Sequence, residues 1–498
     1  MSSGSRAPSG ASPSARRPNL ILVVLDCARA KNFAHSGGDA RIARTPHIDA
    51  LAARGTAFPR AVAPANWTVP SHFSFFTGTY PNVHGVRTFQ KGTQIPETTA
   101  HHLQRAGYET AMFTEMAHLV GGYGMEDGFD VRRSRRIGIS DEERTVANSL
   151  LGHAGFLYSP RVLRLVEKLP PAITPLTLMN HPQEVAYKED TCGDYTLGYF
   201  SEWLGQRSAE RPFYAFFNFV NAHEPYDLLP DGRPLSFFDR VYLHTPRYYL
   251  LAVPGLQSHL RWDASLAGYV RSIEEADGKV GRMVELLERA GERDRTLIIV
   301  TADHGQSFGE SGNVYHGCGA TDSILRVPLV VGAPAAMELP KRVERWVSLC
   351  EFDSWLKAAA AGEVAYDADG HAPFPYSVAA PDSTIVFGEG GPASDPNRSL
   401  RGIRPDQLWN HRLLAAYRGN EKFVLDLQSG VVYRWRSVER DPDHVAPETL
   451  TGAEAAQVRS EVFAPYENED RDRVARLANA PPPVEVALDE RLRSWGYD

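Results

Sequence analysis

Two carboxylates and an imidazole at the ends of apolar runs are the first residues of this sequence equipped for chemistry. Asp26 closes "NLILVVLDC", and Asp303 with His304 closes "DRTLIIVTADHG". An adjacent Asp and His leaving one strand can present an oxygen and a nitrogen to a single divalent ion. A second carboxylate from another strand end gives a set that suits zinc, manganese, magnesium or calcium. The dipeptide alone would serve equally in a solvated turn; Asp26, placed independently, favours the metal. The next residue of interest is Thr68 in "NWTVPSHFSFFTGTYP". Pro70 belongs in the first turn of a helix, so the Thr68 hydroxyl is expected near a helix N-terminus, where amides and dipole favour negative charge. A neutral threonine hydroxyl is a poor nucleophile, and metal coordination is one of the few ways to activate it without an adjacent base. Taken locally, the same residue reads as a helix N-cap.

These residues need elements to position them. The runs before Asp26 and Asp303 are rich in leucine and β-branched residues, as in strands buried on both faces of a parallel sheet. "RPFYAFFNFVNAHEPYD" gives another such strand, running into His223. "TPHIDALAARG" predicts a helix with Thr45 as cap, Pro46 in the first turn and Gly55 as stop, and "DASLAGYVRSIEEADGKVGRMVELLERAG" a long amphipathic one. Strands alternating with helices indicate an α/β layer architecture, whose functional crevice lies outside the carboxyl ends of the strands. Asp26, His223, Asp303 and His304 all fall at such ends. Residues 19–394 are expected to form this domain. Its irregular stretch 130–260, rich in Pro, Arg and aromatics, reads as a helical excursion over the sheet or a substrate-shaping lid. Residues 395–498 contain "HRLLAAYRGNEKFVLDLQSGVVYRWR", whose alternation around Gly turns fits a small antiparallel sheet in a C-terminal α+β subdomain.

Composition narrows the partners. The 498 residues carry a net charge of -8 without a Lys/Arg-rich block, which argues against a nucleic acid polymer. Residues 1–18 are small, polar and Pro-rich, and read as a disordered tail. They lack the apolar core of a signal peptide, and no apolar run approaches the roughly 18 residues of a membrane span, so a cytoplasmic location is expected. Cys27, Cys192, Cys318 and Cys350 lack C-x-x-C spacing, which argues against a disulfide framework and a zinc ribbon.

Taken together and in order, "PNLILVVLDCAR", "TPHIDALAARGTAF", "WTVPSHFSFFTGTYPNVHGV", "HHLQRAGYETA", "AHEPY", "TLIIVTADHGQSFGE", "SILRVPLVV" and "GNEKFVLDLQSGVVYRWRSVERDPDH" resemble the sulfatase family of the alkaline phosphatase superfamily, over nearly the whole chain after the tail. The resemblance implies a three-layer sandwich around a large mixed sheet. It also implies that Asp26, Asp303 and His304 ligate a metal and that Thr68 is the nucleophile on that metal. His223 would contact the ester or protonate the leaving group, and His316 falls near a Lys or His position that binds the transferred oxyanion.

The departures from the family pattern are informative. Sulfatases convert a Cys or Ser at the Thr68 position to formylglycine; a Thr is not a substrate of that modification, so formylglycine is not expected. Thr68 resembles instead the unmodified Thr of the superfamily's phosphodiesterases and phosphotransferases. Cys27 stands where sulfatases carry a second ligating Asp, His72 replaces the motif Arg beside the nucleophile, and Glu115 lies near the position of a sulfate-binding Lys. A phosphoryl ester bears more negative charge than a sulfuryl ester; Arg29, Lys31 and Arg87 could neutralise it, or could be plain surface cations. Asp277 on the long helix reads as structural, with second-metal duty as the alternative, and one metal is expected.

The reading is therefore a metal-dependent hydrolase of a small-molecule phosphate mono- or diester, or of a sulfate ester, acting through Thr68 with His223 and His316, and with Arg29, His72 and His316 at the substrate. Its rivals are a phosphotransferase with an alcohol acceptor, a sulfuric ester hydrolase, and a non-catalytic member that keeps the fold.

Overall fold

The computed structural model describes residues 17–38, 41–87, 97–120, 124–134, 194–224, 262–308, 314–334, 337, 339–361, 384–391, 411–438 and 445–468. All but the last two residues of the expected tail, most of the 130–260 stretch, and Cys192 lie outside these residues.

A seven-stranded mixed sheet forms the core. Its central strand is Asn19–Leu25, all seven residues buried, with Phe213–Phe219 on one side and Thr296–Thr301 on the other, both parallel to it. The runs are apolar throughout because both faces of the strands are covered, and each fully buried large side chain stabilises the fold by about 1.5–3 kcal/mol. Glu109–Thr114 and Val131–Ser134 extend the sheet in parallel beyond Phe213–Phe219. On the other side Leu329–Gly332 runs antiparallel to Thr296–Thr301 and pairs with the short strand Thr56–Ala57. Register places Leu25 opposite Phe219 and Val24 opposite Thr301. The three strands therefore end side by side, and whatever follows Leu25, Phe219 and Thr301 must meet in one place.

The two expected helices form at Pro46–Arg54 and Trp262–Arg289, and Thr99–Arg105 and Glu351–Ala361 are helical as well. One detail of the first differs from expectation. The Thr45 side chain makes no capping bond; Asp277 of the long helix does that work, accepting from the backbone N–H of Ile48 at 2.8 Å and of His47 at 3.3 Å. A remote carboxylate thus satisfies the first amides of this helix and locks two helices together, so Asp277 stands in a structural contact.

A five-stranded antiparallel sheet follows, with strands Val386–Gly390, Leu413–Arg418, Glu421–Asp426, Val432–Trp435 and Glu448–Leu450 in that order. Its first strand precedes residue 395 and fastens to the segment before Thr68. The Glu389 amide donates to the Pro64 carbonyl, and Asn66 Nδ2 donates to the Gly391 carbonyl, each at 2.9 Å. No helix among the described residues is long and apolar enough to cross a membrane.

Candidate active site

Asp26 directly follows Leu25, and Asp303 and His304 follow Thr301, so the sheet register brings them together. All three are completely buried. Asp303 Oδ1 accepts from the backbone N–H of His304 at 2.9 Å and of Cys27 at 3.3 Å. Asp303 Oδ2 has no hydrogen-bond partner; it lies 3.4 Å from His304 Nε2 and 3.6 Å from His72 Nδ1. Asp26 Oδ1 faces the Cys27 thiol at 3.3 Å, and its Oδ2 accepts from Asn218 Nδ2 at 3.4 Å. Gly305 is required next to His304, because a Cβ there would stand 2.1 Å from the Ser323 carbonyl oxygen.

Thr68 is the first residue of the helix Thr68–Thr77, and Trp67 holds the cap position. The N-cap alternative for Thr68 is therefore not met: its side chain makes no capping bond, and Oγ1 instead stands 3.3 Å from His304 Nε2. His304 Nδ1 is 2.9 Å from the Gly305 carbonyl, which holds the proton on Nδ1 and leaves the Nε2 lone pair facing the hydroxyl. Ser71 Oγ donates to the Asp303 carbonyl at 2.6 Å and ties the helix start to the Asp-His turn.

His223 and His316 form a second group beside the first, with Glu224 and Gln306. The His316 ring lies 4.6 Å from that of His304 and 5.0 Å from that of His223, between centroids. His223 Nδ1–H donates to the Glu224 carbonyl at 2.7 Å, and His316 Nδ1 is 2.8 Å from Gln306 Oε1. Gln306 Nε2 donates to Glu224 Oε2 at 2.6 Å, so one buried amide fixes both a carboxylate and an imidazole. Glu224, Gln306 and Asn218 were not singled out from sequence. Glu224 and Gln306 sit one and two residues from His223 and His304, and that adjacency was the available signal.

Two residues expected at the substrate lie deeper than that role implies. His72 is fully buried beneath Thr68: its Nδ1–H donates to the Thr68 carbonyl at 2.8 Å, and its ring packs against Phe75 and Phe216. The Arg29 guanidinium is buried against the rings of Tyr269 and Phe308, with Nε donating to Asn32 Oδ1 at 2.8 Å and Nη1 to the Gln306 carbonyl at 3.3 Å. Both support the walls of the site. Arg87 Nε is bound to Glu389 at 2.6 Å, and Glu115 pairs with buried Lys279 at 2.6 Å.

The electrostatics call for positive charge. Burial, and then the neighbouring Asp303, push the Asp26 carboxyl up; burial pushes Asp303 up to about 7. Burial lowers His304, and lowers His72 and His316 to about 3 each, so the imidazoles do not supply the missing charge as protons. Burial would raise Glu224 as well, but His223 and His316 beside it hold it down to about 2. A buried carboxylate oxygen without a partner is costly unless a cation meets it. Asp26, Cys27 and His304 offer ligand atoms within 4.8 Å of one another, and the orphaned Asp303 oxygen borders them. This donor set of oxygen, nitrogen and sulfur fits a divalent metal.

Comparison with known proteins agrees with this architecture. A choline-sulfatase from Rhizobium meliloti (strain 1021) is 26% identical over 347 residues, which are 64% of this chain and 63% of that protein's length. Two solved structures share the fold. The phosphonate monoester hydrolase of Agrobacterium radiobacter has a TM-score of 0.54 at 20% identity, covering 93% of this chain and 95% of its own. That of Silicibacter pomeroyi has a TM-score of 0.59 at 20% identity, covering 91% and 96%. Residues 18–349 match the Sulfatase family, and the chain belongs to that family.

Proposed function

We propose that this protein hydrolyses a phosphate ester, mono- or diester, through a covalent ester on Thr68. The observation that carries the reading is the Thr68 hydroxyl at the start of a helix, 3.3 Å from His304 Nε2 and beside the two buried carboxylates. Asp26, Asp303, His304 and Thr68 itself would hold a divalent cation, which would neutralise the carboxylates and lower the proton affinity of the hydroxyl.

The chain's own residues do the rest. Thr68 Oγ1 releases its proton to solvent as the site loads and bonds to phosphorus. The bond from phosphorus to the alcohol breaks, and the alcohol oxygen takes up a proton from solvent in place of the one Thr68 released. Water then attacks phosphorus, the bond to Oγ1 breaks, and the proton lost by water restores the hydroxyl. Ser71 and His72 keep the nucleophile's backbone fixed during both steps. His223 and His316 stand together beside His304, where His223 would contact the departing oxygen and His316 the transferred group.

Phosphate is favoured over sulfate because Thr68 cannot become formylglycine and because the Glu115 region carries a closed ion pair with Lys279. Sulfate esters are the second reading, favoured by the family match. A cytoplasmic setting agrees with the buried Cys27, Cys318 and Cys350, which form no disulfide.

The test is a panel of aryl phosphate, phosphodiester, phosphonate and sulfate esters, each with several divalent metals and with Thr68→Ala in parallel. Turnover of phosphate esters that disappears in Thr68→Ala supports the reading. Strong preference for sulfate, or equal rates in Thr68→Ala, overturns it.

A further inference from the structure

We propose that Lys422, on the C-terminal sheet, is a positioning residue for the active site: paired with Asp322, it sets the place of the loop that carries His316. It acts through that loop. The inference rests on the reading above only for the part His316 plays toward the ester.

The pair is built into the protein interior. Lys422 and Asp322 are both buried, and Lys422 Nζ donates to Asp322 Oδ1 at 2.6 Å and to the Ala320 carbonyl at 2.8 Å. The Tyr417 O–H donates to the same Asp322 oxygen at 2.8 Å. The ammonium also lies 5.4 Å and 5.3 Å from the ring centroids of Tyr417 and Trp435. A buried ammonium is costly unless paired, so desolvation keeps this contact closed.

From Asp322 and Ala320 the connection to the site is short. Asp322 opens the helical turn Asp322–Leu325, whose carbonyls hold the residues after His304: the Gly305 amide donates to Ile324 at 2.6 Å, and the Gln306 amide to Ser323 at 2.9 Å. Gln306 Oε1 in turn lies 2.8 Å from His316 Nδ1. Ala320 is four residues after His316, and the loop between them bends at Gly317 (φ 77°) and Gly319 (φ 70°). Glycines in the left-handed region bring no stiffness of their own, so the loop stands where its anchors hold it.

One anchor is Asn66, two residues before Thr68. Its carbonyl accepts from the Gly317 amide at 2.8 Å, and its Nδ2 donates to the Gly319 carbonyl at 3.1 Å. The other anchor is Lys422. Packing closes the gap between them: a Cβ on Gly390 would stand 2.4 Å from the Gly319 carbonyl oxygen. With Lys422→Met, the Ala320 carbonyl loses that donor, and Asp322 keeps only weaker holds, among them Arg326 Nη1 at 3.9 Å. A displacement of about 1 Å in a positioned group can lower kcat by about 100-fold.

The test compares wild type with Lys422→Met in the full chain, first without substrate. Native-state alkylation by iodoacetamide, mapped by peptide mass spectrometry, reads Cys318 inside the loop against Cys350 outside it, both buried. Burial pushes the Cys318 thiol up to about 12, so the closed loop reacts slowly. Lys422→Met should speed alkylation of Cys318 at least about tenfold and leave Cys350 unchanged, as local opening requires. Equal acceleration at both cysteines, or none at Cys318, overturns the proposal. Should Lys422→Met fail to fold, Tyr417→Phe removes one donor from Asp322 and no charge; it must accelerate Cys318 selectively by a smaller factor, and no acceleration overturns the proposal. The second measurement uses an ester that wild type turns over. Lys422→Met should lower kcat about 10- to 100-fold with little change in KM, and cause no further loss in a His316→Ala background. Additive losses overturn the proposal. Selective exposure of Cys318 in a protein that turns over no ester would sink the hydrolase reading and leave the loop anchor standing.

Discussion

Lys279→Met probes how the core holds the His223 loop. Lys279 Nζ lies 2.6 Å from Glu115 Oε1, and the two side chains are 1% and 5% exposed. The other oxygen, Glu115 Oε2, accepts from the Val220 amide at 3.0 Å, three residues before His223. Removing one partner of a buried pair leaves an uncompensated charge, which costs about 3–5 kcal/mol. Domains commonly have only about 5–15 kcal/mol to lose, so Lys279→Met should lower the urea midpoint severely. Glu115→Gln should be similarly harmful, because it strands the lysine. The double variant should be more stable than either single one, since a glutamine carbonyl still accepts from Val220 and no charge remains buried. The assay is a double-mutant cycle by urea denaturation, with kcat measured on each variant that folds. A coupling of at least about 2 kcal/mol is expected for partners in direct contact. Additivity within about 0.5 kcal/mol, or a single-variant loss below about 1 kcal/mol, would refute the reasoning.

Three other perturbations have definite outcomes. Gly305→Ala should give a protein that does not fold or lacks activity, because its Cβ would stand 2.1 Å from the Ser323 carbonyl oxygen; a folded, fully active variant on circular dichroism and ester assay would contradict the packing. Glu389, bonded by Arg87, Arg412 and Tyr466, would be raised by burial, yet the two arginines hold it below the ordinary 4.5. Its stabilisation is therefore present above about pH 4.5 and fades as pH falls through the lower folded value. Urea midpoints should show Glu389→Gln less stable at neutral pH, with the gap to wild type closing in acid; a pH-independent gap would contradict this. Chelation should abolish ester turnover and lower the melting temperature, and a metal at about 100 times its dissociation constant should restore about 2.7 kcal/mol. An unchanged melting curve would argue against a bound cation.

The sheet was legible because a strand covered on both faces must be apolar along its length, and the acids that end such runs stand out. That signal located Asp26, Asp303 and His304 before any contact was known. What stayed hidden depends on partners distant in sequence. Asp277 caps a helix 230 and 229 residues away, so local reading assigned the cap to Thr45. Gln306 meets Glu224 across 82 residues and looks like any polar turn residue in the sequence. Sequence alone points Arg29 at the substrate as a charge for the phosphoryl group, and His72 as the residue in place of the family's motif arginine. Here the Tyr269 and Phe308 rings cover the first, and the second donates back along its own helix to Thr68. The helix start at Thr68 was anticipated, but not that Trp67 would take the cap and free the Thr68 hydroxyl for His304.

The ester on Thr68 can be sought directly, by acid quench of the metal-loaded enzyme during turnover of an aryl phosphate and mass spectrometry of its peptides. A single phosphate on the peptide carrying Thr68, present during turnover and missing in Thr68→Ala, is the predicted result. Steady turnover with Thr68 unmodified, or with the phosphate on another residue, would contradict it.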